Sequence, residues 1–133
     1  TFNANPIGVA AALATIEELK KPGTYEHLQE IGDALVDGFR KLAVKHHLKI
    51  YTRAIGGIFI LYFGFEEDTE DFRDWLSKAD TAFYGEFVKR CEEYGIRFTD
   101  DRGREYISVT HTMDDVYRTL QVADVVLGEM LGD

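Results

Sequence analysis

The side chains able to do chemistry are few and mostly badly spaced for it. His46 and His47 are adjacent, so they diverge by roughly 100° on a helix or face opposite sides of a strand, and neither arrangement clamps one metal ion. A solvated helix end is the expected setting for both. His111, in Ser108-Val109-Thr110-His111-Thr112, has no carboxylate or nucleophile at a spacing that marks a general base, and reads as a loop-bonding side chain. Ser77 and Ser108 lack a nucleophile elbow, and no glycine-rich phosphate loop occurs. Cys91, the single cysteine, stands in Phe87-Val88-Lys89-Arg90-Cys91-Glu92-Glu93 without a partnering histidine and cannot form an internal disulfide. The run Glu66-Glu67-Asp68-Thr69-Glu70-Asp71 lacks the alternating spacing and central glycine of a calcium loop, and a solvated surface insertion is expected, with no metal site. Thr1-Phe2-Asn3-Ala4-Asn5-Pro6 places a hydroxyl, two amides and backbone N–H groups ahead of a helix start. Such groups attract a phosphate, although Asn before Pro is also an everyday cap.

Periodicity supplies the elements that must hold these groups. Asn5-Pro6 is an N-cap with Pro at the first helical position, opening a helix that Lys20-Lys21-Pro22-Gly23 stops. Because this Ala-rich helix is apolar on most sides, it reads as buried, in an ordinary core or between layers or subunits. A second helix runs from Thr24 to about His46, with Leu28, Ile31, Leu35, Phe39 and Leu42 on one face. The period then changes. Ile50 to Arg53 and Ile58 to Phe63 are β-branched and aromatic around Gly56-Gly57, giving two strands or one bulged strand at the sheet's centre. A helical turn over Asp71 to Leu76 and a third helix over Thr81 to Tyr94 follow, the latter turning Ala82, Phe83, Phe87, Val88 and Cys91 inward and ending on Gly95. Ile96 to Thr99 and Tyr106 to Val109 are expected as short strands around the turn Asp100 to Arg104. Thr112 and Asp115 form a capping box, with Asp in place of Glu, for a last helix that faces Val116, Leu120, Ala123, Val126 or Leu127, and Met130 inward. The sum is an α+β domain: a small, mostly antiparallel sheet of about four strands covered by helices.

Composition bounds the function. With 133 residues there is room for one core and not for a catalytic domain beside a cofactor domain. Fifteen basic against twenty-four acidic residues give a net charge of -9, which repels phosphate backbones and anionic lipid, so neither nucleic acid nor membrane is an expected partner. The excess lies entirely in residues 51–133, densest over 66–80, where seven acids meet two bases. No apolar run is long enough for a span, no leader is recognisable, and lone-cysteine usage fits a reducing, cytoplasmic compartment. A chain that opens on Thr1 and enters a helix within six residues reads as a piece of a longer one.

The segment Thr1-Phe2-Asn3-Ala4-Asn5-Pro6-Ile7-Gly8-Val9-Ala10-Ala11-Ala12-Leu13-Ala14-Thr15 resembles the opening of the C-terminal small domain of class III pyridoxal-phosphate-dependent aminotransferases, most closely the glutamate-1-semialdehyde 2,1-aminomutase-like branch. The resemblance continues in order through Pro22-Gly23-Thr24-Tyr25-Glu26-His27-Leu28, Arg53-Ala54-Ile55-Gly56-Gly57-Ile58-Phe59, Tyr94-Gly95-Ile96 and the Ser-x-x-His-Thr-x-x-Asp ending at Ser108, His111, Thr112 and Asp115. It covers nearly the whole chain.

The resemblance implies a part of a homodimeric fold-type-I enzyme that moves an amino group on an amino acid or semialdehyde, with pyridoxal 5'-phosphate at the subunit interface. It implies that Thr1 binds the cofactor phosphate through its hydroxyl and N–H, that the Schiff-base lysine lies on a large domain upstream of this chain, and that this chain alone is inactive. Lys20, Lys21, Lys41, Lys45, Lys49, Lys78 and Lys89 all fall on charged helix faces, helix ends or strand edges, where an amine is not desolvated. The loop before the family's last strand often reads Pro-Pro-Ser and an aromatic, whereas here it is Thr99-Asp100-Asp101-Arg102-Gly103-Arg104. Arg102 or Arg104 can pair with a substrate carboxylate, or both can simply neutralise Asp100 and Asp101. The alternative to an enzyme part is a free-standing dimerisation or interaction module with the same fold and no catalysis.

Overall fold

The computed structural model describes residues 4–99 and 103–132. Its elements run α1 (Pro6–Leu19), α2 (Thr24–Lys45), β1 (Ile50–Ile55), β2 (Ile58–Phe63), α3 (Phe72–Lys78), α4 (Thr81–Glu93), β3 (Arg104–Tyr106) and α5 (Met113–Leu131). The sheet is antiparallel in the order β1-β2-β3, so β2 is central. Gly56 and Gly57 make a two-residue hairpin turn between β1 and β2, not a bulge, since Ile55 pairs directly with Ile58. Among the described residues three strands form where about four were expected, and the last of them is Arg104–Tyr106 instead of Tyr106 to Val109, because the ladder with β2 ends where Ile58 pairs with Tyr106 at the hairpin turn. Ile96 to Thr99 stays outside the ladder because Thr99 N–H donates to the Glu105 carboxylate (2.7 Å) and its hydroxyl bonds the Arg104 carbonyl (2.8 Å).

Alternation decides which side of the sheet is covered. Thr52, Phe59, Leu61, Phe63 and Glu105 are buried on one face, against α2 and α4, on which α5 packs in turn. Phe39 from α2 and Phe87 from α4 meet there edge to face, with centroids 6.4 Å apart, and Phe98 closes the cluster. Glycine sets one of the distances: a Cβ on Gly32 would lie 2.7 Å from the Ala54 Cβ, so only a bare backbone lets α2 approach β1 this closely. Gly103 adopts φ +72° beside the Leu61 carbonyl, which a Cβ would overlap. On α4 the inward set is Tyr84, Phe87, Val88 and Cys91, whereas Ala82 is exposed.

Two further expectations fail. Helix α1 has the expected Asn5 cap and Pro6 start, yet it buries no residue; Ile7 is 81% and Leu13 58% exposed. Apolar residues spread around the helix give it no preferred face, and the rest of this chain turns little surface toward it. His46 is not a solvated helix end. It is buried, with Nε2 2.7 Å from the Asp124 carboxylate on α5, because the C-terminus of α2 ends over α5 and not in solvent.

Candidate functional site

The uncovered face of the sheet carries the most suggestive collection of side chains. Register places Arg53 opposite Ile60 and Ile60 opposite Arg104, so the two arginines flank one apolar residue on a single face. Tyr51 pairs with Tyr62 on the same face, their rings stacked at 6.2 Å. The segment after β2 folds back over this edge. Asp71 caps α3 by accepting from Arg73 N–H and Asp74 N–H at 2.8 Å each, which delivers Trp75 edge-on against Tyr62 at 5.5 Å. Between α3 and the sheet is an open cleft of about 350 Å³, with Arg53, Arg104, Tyr51, Tyr62 and Trp75 on its walls and Asp68 and Asp71 on the α3 side. Burial raises the Tyr62 phenol above its ordinary pKa, opposed by the positive charge of Arg104. This size suits a small organic ligand.

Of the expected site residues, Arg104 enters this cleft; Thr1 and Arg102 lie outside the described residues. Arg53 enters the sequence reading only within the Arg53 to Phe59 motif, although its alternation with Tyr51 and Ile55 is signal enough to place it on the open face. At the start of α1 the Asn5 Oδ1 accepts from Ile7 N–H (3.0 Å) and Gly8 N–H (3.4 Å). These donors are therefore engaged by the cap, and an anion here would depend on groups ahead of Asn5.

The other candidates are structural. Ser108 Oγ lies 3.1 Å from His111 Nδ1, but that nitrogen already accepts the Ser108 backbone N–H at 2.9 Å. The Asp115 carboxylate accepts from Thr112 N–H and Oγ1–H at 2.8 Å each, which completes the capping box and holds its pKa below the usual value. His27 Nε2 bonds the His111 carbonyl at 2.9 Å, tying the start of α2 to this loop. A turn pinned at both ends is what these groups make, and the cavity beneath it holds only about 90 Å³. Burial pushes the Cys91 thiol up to about 12, so it is no nucleophile at neutral pH. All seven lysines are exposed. Among the described residues no group of three or more His, Cys, Asp or Glu is placed to hold a metal ion, and no helix is long and apolar enough to cross a membrane.

A buried polar cluster escaped the sequence reading altogether. Glu105 sits on the core face of β3, where its carboxylate accepts from Tyr84 O–H at 2.5 Å as well as from Thr99 N–H. Desolvation and this carboxylate raise the Tyr84 pKa. The signal was available in the strand pattern, since Arg104 and Tyr106 outward require Glu105 inward.

No protein-family model matches the chain. Several solved structures share its fold. A transaminase with PLP bound superposes with a TM-score of 0.80 at 18% identity, over 98% of this chain and 29% of its own. An omega-transaminase from Sphaerobacter thermophilus gives 0.78 at 20%, over 96% of this chain and 28% of its own. A glutamate-1-semialdehyde-aminomutase from Pseudomonas aeruginosa PAO1 gives 0.79 at 16%, over 88% and 26% respectively. The chain thus spans less than a third of the length of the structures it resembles.

Proposed function

We propose that this chain is the C-terminal small domain of a pyridoxal-phosphate-dependent aminotransferase or aminomutase, in the glutamate-1-semialdehyde 2,1-aminomutase-like branch. The observation that carries the reading is a fold likeness that takes in nearly all of this chain and under a third of its neighbours. The uncovered apolar helix α1 supports it, because exposed Ile7, Val9, Leu13 and Ile16 need another surface to exclude water. In the whole enzyme that surface is the large domain or the partner subunit of a homodimer, in the cytoplasm.

When bound, pyridoxal phosphate supplies the electron sink that makes amino-group transfer possible. Within this chain only the phosphate end is provided for, by the hydroxyl and N–H of Thr1. The imine end is not, since each lysine is exposed and keeps a solvated amine. The reactive lysine therefore belongs to the large domain, and the isolated chain is inactive. Arg104, at the cleft between α3 and the sheet, holds the carboxylate of a small amino-acid substrate, a role that the sequence offers to Arg102 as well.

The test is the complete protein. Borohydride reduction in the presence of cofactor, followed by peptide mapping, should attach pyridoxyl to a lysine outside these residues. Attachment to one of the seven lysines here, or transamination half-reactions by the chain alone, would overturn the reading. A gene that encodes no large domain would instead favour a free-standing dimerisation module, for which the bare face of α1 is the supporting feature.

A further inference from the structure

We propose that the cleft between the open face of the sheet and α3 is a dicarboxylate site, in which Arg53 and Arg104 each hold one carboxylate and the ligand's short apolar linker lies over Ile60 against Tyr62 and Trp75. This takes from the functional proposal only the role of Arg104; Arg53, the aromatic wall and the class of ligand are additional, and binding is measured without cofactor or turnover.

Charge is the first argument. In a chain with nine more acids than bases, two guanidiniums line one cleft, and neither makes an ion pair or side-chain hydrogen bond with a described residue. Arg90 and Lys78 are paired with Glu86 and Asp74 at 2.7 and 2.8 Å, whereas Arg53 and Arg104, like Arg73, Arg97 and Arg118, make no ion pair with a described residue, and of these only Arg53 and Arg104 line this cleft. Guanidiniums left free in so acidic a protein are available for an outside carboxylate, which their planar fork matches.

Spacing is the second. The register Arg53, Ile60, Arg104 separates the two Cα atoms by two interstrand steps, about 10 Å, and each side chain can reach inward along its stem. One small anion does not require two such arms with an isoleucine between them, whereas two carboxylates joined by three or four methylenes fit that layout. The third is the facing wall. Asp71 spends its carboxylate on the α3 cap and Asp68 accepts Thr69 N–H at 2.9 Å. Their charge disfavours an anion on the α3 side, so both ends of the ligand are directed to the sheet.

Trp75 is the only tryptophan in the chain and lines the cleft, so its emission reports occupancy directly. The full chain is titrated with glutarate at low ionic strength, beside pentane-1,5-diol and inorganic phosphate. A saturable change with glutarate, absent with the diol, weaker with phosphate, and reduced at least about tenfold in affinity in both Arg53→Gln and Arg104→Gln with unchanged melting, is the expected result. No saturable change, an equal response to the diol, phosphate binding as tightly as glutarate, or wild-type affinity in either variant would overturn it. A chain that binds glutarate but belongs to no cofactor enzyme would leave this site standing and remove the functional proposal, so the two fail separately.

Discussion

Helices α1 and α2 are consecutive, both announce themselves in the sequence, and they relate to the core in opposite ways. Helix α2 is moderately polar overall but sorts its residues, and it buries Leu28, Ile31, Gly32, Val36, Phe39 and Ala43. Helix α1 is far more apolar and buries nothing. Burial within a chain thus follows the segregation of apolar residues onto one face, because only a stripe can be matched by a second surface. An evenly apolar helix has to be enclosed, and this chain alone does not enclose it.

The contrast can be broken most directly at Phe39, which is 1% exposed and packs on Phe59, Phe87 and Phe98. Phe39→Ala should destabilise the chain by about 3–5 kcal/mol in urea unfolding. If it costs under about 1 kcal/mol, α2 does not anchor the core as described.

A smaller effect is expected at the start of α5, which shares the core with α2. Thr112→Ala removes the side-chain acceptor for Asp115 N–H and should cost about 1 kcal/mol, read from the same unfolding curves. A neutral result would mean that the cap adds little once α5 is packed.

The junction of α2 with α5 should show itself in the pH profile. Hydrogen bonds from Lys45 and His46 hold the Asp124 carboxyl below its ordinary value of 3.8. Its folded pKa is depressed, so its stabilising contribution is present above about pH 4 and lost as pH falls through the folded value. Asp124→Asn should therefore flatten the acid limb of melting temperature against pH below about 4 and leave its shape above that range unchanged. An unaltered acid limb would remove the pairing from the account.

The smallest effect belongs to α1. Leu13→Ser should change the stability of this chain by no more than about 0.5 kcal/mol, since Leu13 is 58% exposed on a helix that buries no residue. A loss comparable to that of Phe39→Ala would show that α1 folds against the rest of the chain, and the comparison would collapse. In a complete enzyme the same substitution should cost more, which sharpens it.

How far the sequence carried can be followed through particular residues. Asn5-Pro6, the Thr112–Asp115 box and Gly95 announced helix ends because caps are local chemistry, settled within three or four residues. The stripe in α2 and the change of period at Lys49 were equally legible. Ile96 to Thr99 was misread because strand propensity carries no information about a partner, and Thr99 is taken by Glu105, six residues on, in a bond no pattern encodes. Arg104 was singled out as a carboxylate ligand, but its companion Arg53 is 51 positions earlier and joins it only across β2.

By itself, then, the sequence determined the type and order of the helices, the α+β class and the acidic character of the second half, all of which rest on neighbours along the chain. Only the tertiary structure decided that His46 is buried against Asp124, that Glu105 is a core carboxylate, that α1 is left bare and that two arginines share a cleft with the sole tryptophan. Each depends on groups brought together from distant positions, where burial and charge are set by what packs alongside.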